Sequence, residues 1–559
     1  MLSCAVKKTY ASALIAIFTP LNRPVAAHRS WHMKKILGIL ACLAVVAALA
    51  GYFVVIPQIE EKQAAQVAAF IEELPGTLKA DAITVRLLEN KVEVLGLKGD
   101  TKYIEGSDMT VDVGRITVSG VNFTPGAGVA SLVDEADFRD VKLRITTTMA
   151  AMGVELPPEM NKPIVQNLTL KDMTVKGLSG DYERLNAAVK ADSRADIYDC
   201  LATTFSVAQI TLNEYASHVE SFVGPASMSI QSMSAKDASL LKSGPSTCET
   251  VSLSMFGAEV MRVGSMRVDL CRMPNVYPAL VAAQESGDAQ AMSNALFNLK
   301  EGESFSVEGM VMKDFYFKLL LPEPLTAASV GMDFSLGKDS LAYKQSLEEL
   351  VIPVSMYRSI GMEVAQFADY YGQPLSIDAV IDADFRWQPG RADVAFKRLF
   401  IEDKGLGAAS LSAALYLEGE GDSVEAFADG DPRPFLVKAD LTLEDKALLA
   451  NVFGGEFEAI KAFGLTGEGM ESPEDLRAQA VALFEAQMAA FVSDDQKKVG
   501  QGVLELLKAP GKLTVTLTPD APVALEGLEQ GKTPLNAQVE FTPAPAPDAE
   551  PVQPTPAVE

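Results

Sequence analysis

The sequence predicts a mainly β protein with helical insertions (α+β): a single N-terminal transmembrane helix, then an elongated, curled antiparallel-type β-sheet with an apolar face, and a helical segment near the C-terminus. Three observations predict it. Residues 33–56 read MKKILGILACLAVVAALAGYFVVI, and the 21 residues from Ile36 to Ile56 carry no charge. That is enough to cross a hydrocarbon core of about 30 Å at about 1.5 Å per residue. Past residue 80 the apolar residues recur with period two in short runs between turn residues, as half-buried strands do. Between Asp445 and Leu507 the period lengthens to that of helices.

The flanks of the apolar run orient it. Lys34 and Lys35 precede it and Glu60 and Glu61 come after it, so the positive-inside rule leaves the N-terminus in the cytoplasm. In a bacterium this predicts a single-pass inner-membrane protein with the bulk of its chain in the periplasm. A cleaved signal peptide is the competing expectation, but the run exceeds the roughly 7–15 residues of a signal h-region. Ile39-Leu40-Ala41-Cys42 looks like a lipobox, yet the apolar run continues to Ile56, so Cys42 reads as a membrane residue. Residues 1–32 hold two basic clusters ahead of Met33-Lys34-Lys35, a typical bacterial start, and read as a non-native extension or a cytoplasmic tail.

Composition sets further bounds. The 559 residues are 48% hydrophobic with a net charge of −26, which suits one long or two to three ordinary domains and disfavours nucleic acid as a partner. Cys200, Cys248 and Cys271 lie beyond the anchor. In an oxidising compartment one pair has the chance to form a disulfide, and their spacing is not that of a zinc site.

Taken in order, residues 57–76 predict a juxtamembrane helix with Ala65, Ala68, Ala69 and Phe70 near one face, ended by Pro75-Gly76. A β-rich region, 77–341, begins with a hairpin: Ile83, Val85 and Leu87, a turn at Glu89-Asn90-Lys91, then Val92, Val94 and Leu95. A helical break is expected over 342–372, with Pro353 in its middle and Asp369-Tyr370-Tyr371-Gly372 at its end, and a further helical stretch over 277–299. Strands resume over 373–443. The helical segment 444–511 comes next, where Ser472 caps a helix, Pro473 takes its first position, and Leu476, Ala480, Leu483, Phe484, Met488 and Phe491 line one face. Closing strands fall in 512–542. The tail, 543–559, is rich in proline and acids and reads as disordered.

Several strands share an apolar 1, 3, 6, 8 spacing: Leu168, Leu170, Met173 and Val175; Phe205, Val207, Ile210 and Leu212; Phe305, Val307, Met310 and Met312. A weaker copy is Met228, Ile230, Met233 and Ala235. Two alternating pairs separated by two residues change phase once, which a β-bulge accommodates while one face stays apolar. The twelve residues of the three full copies are the candidate lining of an apolar groove. Methionine is frequent on these strands, and its flexible thioether suits variable apolar partners such as acyl chains as well as it suits a filled core.

Searches for catalytic chemistry return nothing. His218 is the only histidine past the anchor and no nucleophile elbow surrounds it. Pro125-Gly126-Ala127-Gly128 lacks the lysine of a phosphate loop. No cofactor, metal ligand set or catalytic residue is expected, and the chain does not read as an enzyme.

The opening MKKILGILACLAVVAALAGYFVVIPQIEE, then LKADAITVRLLENKVEVLGLKGD and strands of the type NLTLKDMTVKGLSG, resembles the AsmA-like family of envelope proteins. The resemblance covers about the first 180 residues and later strands only in style. It implies an inner-membrane anchor, a long periplasmic β-sheet curled into an apolar groove, and outer-membrane maintenance through phospholipid transfer. The helical segment 445–507 is not explained by it, and the strand region is shorter than that of the family's larger members. Two functions therefore stand side by side: a groove that binds or transfers phospholipid, or a non-catalytic envelope adaptor with a closed core that acts on other envelope proteins through its helical segment.

Overall fold

A computed structural model describes residues 59–73, 76–86, 89–104, 107–121, 128–148, 163–191, 193–221, 224–276, 303–319, 321–421, 427, 429–465, 469–528 and 533–545. The expected transmembrane run at 33–56, the stretch 1–32, the expected helix at 277–299 and residues 546–559 lie outside them. Among the described residues no helix is long and apolar enough to cross a membrane. The described chain is mainly β, open and antiparallel, with a few helices. It divides into two compact units, one up to Glu259 and one from Val260.

The first unit starts with α1 (Ile59–Glu73), which packs beside β1 (Ala82–Arg86). Its buried stripe is Gln63, Val67 and Ile71, one residue per turn. Ala65 and Ala69, expected near the apolar face, are exposed instead. The larger Val67 and Ile71 remove more area from water, so they and not the alanines set the helix rotation. Asn90, at φ 48°, turns β1 into β2 (Lys91–Ile104), and its amide holds the carbonyl of Val121 at 3.0 Å.

Then come β3 (Ser107–Ser119), β4 (Ala130–Thr147) and β5 (Ile164–Gly180). Two short helices, α2 (Tyr182–Lys190) and α3 (Arg194–Thr204), lead to β6 (Ser206–Ser221), β7 (Gly224–Ala238), β8 (Lys242–Ser243) and β9 (Ser246–Met255). Antiparallel ladders join β1 through β7 in chain order, and β7 pairs with β9. The helices α2 and α3 were not expected. Their signals are the caps: Asp181 and Ser193 accept the N–H of Arg184 and Asp196.

A crease explains the apolar 1, 3, 6, 8 spacing in β5 and β7. Register places Gly96, Gly114, Asp140, Lys171, Glu214, Gln231 and Thr250 side by side across β2 to β7 and β9. On either side of that line the apolar neighbours are three apart: Val94 and Leu97, Val113 and Ile116, Phe138 and Val141, Leu170 and Met173, Leu212 and Tyr215. Every second member has positive φ: Gly96 (59°), Asp140 (53°), Glu214 (49°) and Thr250 (46°). All strands change phase together, so the register survives and one face stays apolar. Along the line Lys171 pairs with Glu214, and Thr250 donates to Gln231 at 3.0 Å. A second crease aligns Gly177 (φ 63°), Ala208 and Asp237 (φ 48°) and produces the phase change at Val207 and Ile210.

In the second unit β10 (Ala258–Val268) and β11 (Leu270–Arg272) pair with β12 (Ser304–Phe317). Here the spacing has a third cause, a bulge at Gly309 (φ 61°) between Val307 and Met310. β13 (Leu325–Gly337) and β14 (Ser340–Ile352) come next. The helical break expected at 342–372 is thus half wrong: β14 is paired on both sides, with β13 and with β15 (Leu375–Gln388). Leu341, Tyr343, Gln345 and Leu347 fall on one face of the strand, and the two cross-strand ladders overrule the helical spacing. Pro353 is a helix cap rather than a helix centre; α4 (Val354–Tyr357) and α5 (Met362–Tyr371) come after it.

The chain continues through β16 (Arg391–Asp403), β17 (Gly407–Glu418) and β18 (Arg433–Asp445). It then enters α6 (Leu448–Ala462), α7 (Pro473–Met488) and α8 (Asp494–Lys508), and closes with β19 (Gly511–Leu517), β20 (Val523–Ala524), α9 (Leu525–Leu528) and β21 (Gln538–Pro543). Ser472 caps α7 and Pro473 takes its first position, as expected, and Asp475 completes a capping box. No residue of α7 is fully buried, however; Leu483, expected on its inner stripe, is 64% exposed. Leu506 of α8 joins Leu513 and Val515 of β19 in a small core beneath the end of the sheet.

Two contacts in this end region make testable predictions. α5 crosses α6 at Gly454 and Gly455. A Cβ on Gly455 would meet the backbone carbonyl of Gln366 at 2.9 Å, whereas one on Gly454 would meet the half-exposed ring of Tyr370. The ring can swing away and the backbone cannot. Gly455→Ala is therefore expected to destabilise the protein by about 1–3 kcal/mol, and Gly454→Ala by clearly less, in parallel urea titrations.

Asp495 accepts the N–H groups of Leu535 at 2.7 Å and Ala537 at 3.0 Å, tying the start of α8 to the approach of β21. Burial raises its pKa, but these N–H donors and Lys498 outweigh burial and hold the carboxyl below the usual range. Its stabilisation is full above the unfolded value of about 3.9 and is lost as pH falls through the lower folded value. Asp495→Asn is expected to cost about 2 kcal/mol at pH 7. The difference from wild type should shrink in denaturation curves taken below pH 4.

Candidate functional site

The two units carry the same kind of apolar face in different states. In the first, register rows such as Ile116, Phe138, Met173 and Leu212 run into a closed core, with Phe138 at 0% exposure. Of the candidate lining residues, Leu168, Leu170 and Met173 are members of this core. Val175, Phe205 and Leu212 pack against it, and Val207 and Ile210 are half-buried. Phe205 does not belong to a strand at all; it is the C-cap of α3 and its ring covers Gly180.

In the second unit the face stays half-exposed. One row runs Met310, Met332, Gln345, Ile381, Leu399, Leu411 and Leu441, from β12 to β18. The next runs Met312, Val330, Leu347, Ala379, Ile401, Ala409 and Leu443 across the same strands. On the other side lie the row from Val307 through Phe334, Tyr343 and Phe396 to Ala439, and the row from Phe305 through Phe385 to Leu436. At about 4.8 Å per strand each row crosses roughly 29 Å. Phe305, Val307, Met310 and Met312 therefore do share one face. Ile381 and Ile401, at 41% and 50% exposure, are its most open large side chains.

No charged side chain stands in these four rows. Their polar members are Tyr343 and Gln345, joined by a 2.6 Å hydrogen bond from the phenol to the amide oxygen, and burial raises the pKa of the Tyr343 phenol. Charge is kept on the opposite face. There Lys397 bridges Asp384 at 2.8 Å and Asp382 at 3.7 Å, and Lys438 holds Asp440 at 2.8 Å, an interaction that lowers the Asp440 pKa. A depression lined by Ser304, Gly337, Ser340, Arg386, Trp387 and Asp393 lies beyond the rows, at one end of strands β12 to β16. At one end the apolar rows pass into Leu513, Val515, Val539 and Phe541, which α8 covers.

The remaining sequence candidates have ordinary surroundings. Cys200, Cys248 and Cys271 are free thiols, and burial raises the pKa of Cys248 and Cys271, the reverse of an activated nucleophile. His218 lies 46% exposed beside Glu220 at 3.5 Å. Among the described residues no cluster of His, Cys, Asp and Glu has the form of a metal site.

Sequence reasoning missed Tyr343, Gln345, Ile381, Leu399 and Ile401. The assignment of 342–371 to a helix hid the first two. Ile381 belongs to a plain period-two strand, whereas Leu399 and Ile401 follow a bulge after Phe396 that gives β16 the same 1, 3, 6, 8 spacing, unnoticed in the sequence; only the register shows that they extend the rows begun by Met310 and Met312.

Comparison with known proteins adds one localised match. A family model described as "Uncharacterized protein" matches residues 436–539, from β18 through the helices to β21. The match therefore coincides with the end region in which α6 to α8 are inserted before the closing strands. No curated protein matches the chain.

Proposed function

We propose that the chain is an AsmA-like, inner-membrane-anchored periplasmic protein whose second unit holds phospholipid acyl chains on its apolar face, as a binding or transfer element for outer-membrane maintenance. The observation that carries this reading is the set of uncharged, half-exposed rows from β12 to β18. An uncovered apolar band of that extent is unusual on a protein surface and marks a binding site for apolar matter. The curled sheet forms the groove, the apolar run at 33–56 is the anchor, and the helical end region closes the groove at β19 and β21. No step of chemistry is assigned to it.

The test is lipid extraction and mass spectrometry on the full chain purified from bacterial membranes. Phospholipid should co-purify in stoichiometric amount. A lipid-free, folded protein would move the assignment to the adaptor reading. That second reading has its own observation: Phe463, Leu465 and Val492, at or just beyond the ends of α6 and α7, are each more than 70% exposed and offer a contact surface for another envelope protein.

A further inference from the structure

We propose that Tyr343 and Gln345 form a hydrogen-bonding station on the apolar face of the second unit that takes the ester carbonyl of a diacyl glycerolipid. The proposal rests on the lipid reading and adds the part of the lipid that is recognised, and where. At this pair the hydrogen-bond donors outnumber the acceptors. An amide carries one acceptor oxygen and two N–H donors. The Tyr343 hydroxyl donates to Gln345 Oε1 at 2.6 Å, which saturates neither Nε2 hydrogen, and Nε2 has no partner among the described residues.

The flanking positions cannot supply one. Across the ladders Gln345 faces Met332 and Ile381, and Tyr343 faces Phe334 and Ala383. Whatever covers this band must therefore bring an acceptor or leave buried donors unmet, at about 1–3 kcal/mol for the group. The first unit shows the contrast. There Gln166, also on the apolar face, donates through Nε2 to Ser217 Oγ at 3.2 Å, and Ser217 is 8% exposed. Where the face is closed the amide is satisfied internally; where it is open the amide is not.

The charge pattern selects the acceptor. A phosphate or a free fatty-acid carboxylate would be desolvated with no cation in any of the four rows, which is strongly unfavourable. An ester carbonyl is neutral and is attached directly to acyl chains that match Met332, Ile381 and Leu399. The occupant is therefore an ester-linked diacyl lipid, seated with an ester carbonyl at Gln345, its chains along the rows and its charged head group turned off this half-exposed face into water.

The test compares a di-ester phosphatidylethanolamine with its di-ether analogue of equal chain length, each competing against a fluorescent phospholipid on the full-chain protein in detergent micelles. Wild type should prefer the ester about tenfold, the value of one good hydrogen bond. Gln345→Leu, and separately Tyr343→Phe, should remove most of this preference by weakening ester binding while ether binding stays unchanged. Equal binding of ester and ether by wild type would overturn the station and leave the lipid reading intact, as would a preference that survives Gln345→Leu. Failure of both lipids to compete would overturn the lipid reading itself, and the station with it. Tyr343→Phe removes only an oxygen atom, so it keeps the test valid if the amide substitution impairs folding.

Discussion

Ile381→Asp combined with Ile401→Asp is expected to empty the protein of lipid without unfolding it. Both side chains lie on adjacent apolar rows and are 41% and 50% exposed. Replacing them removes little buried area, and substitutions of this kind typically change stability by less than about 1 kcal/mol each. For a bound acyl chain the change is severe, because two carboxylates would be desolvated against methylene groups with no cation on that face. Co-purified phospholipid should fall at least about tenfold, while the urea midpoint stays near that of wild type. A matching pair on the polar face, Lys397→Asp with Lys438→Asp, should leave lipid content unchanged although it breaks the ion pairs to Asp384 and Asp440.

Phe138→Ala is expected to have the largest effect on stability of any single truncation in the first unit, about 3–5 kcal/mol. Phe138 is fully buried, standing between Ile116 and Met173 in register beside the crease at Asp140. The cavity it leaves is bounded by strands whose ladders hold them in place, so little collapse can offset the loss. Ile401→Ala, an aliphatic truncation on the open face of the second unit, should cost about 1 kcal/mol or less. Urea titrations of the two variants measure directly how differently the two faces are packed.

These contrasts also mark how far the sequence can be read. Period two located most strands, and the cap at Ser472 located the start of α7, because both signals are local. The phase changes were legible as a spacing but not as a cause. The same 1, 3, 6, 8 pattern arises from a crease at Lys171, another near Ala208 and a bulge at Gly309, and only cross-strand register separates the three. Whether an apolar face is closed was not legible either: Leu170 and Met312 occupy equivalent sequence patterns, yet the first is buried and the second half-exposed. That difference depends on what lies over each strand, which is set by residues far away in the chain. Tyr343 and Gln345 were lost to a local conflict, in which helical spacing around Pro353 masked an alternation that two ladders enforce.

The most direct test of an acyl chain on this face is photocrosslinking in growing bacteria, with a benzophenone amino acid placed at Ile401 and, as control, at Lys438 on the opposite face. A phospholipid adduct is expected on the protein carrying the probe at Ile401, identified by mass spectrometry, and none from Lys438. Absence of lipid from the Ile401 probe, or lipid captured equally from both faces, would contradict it.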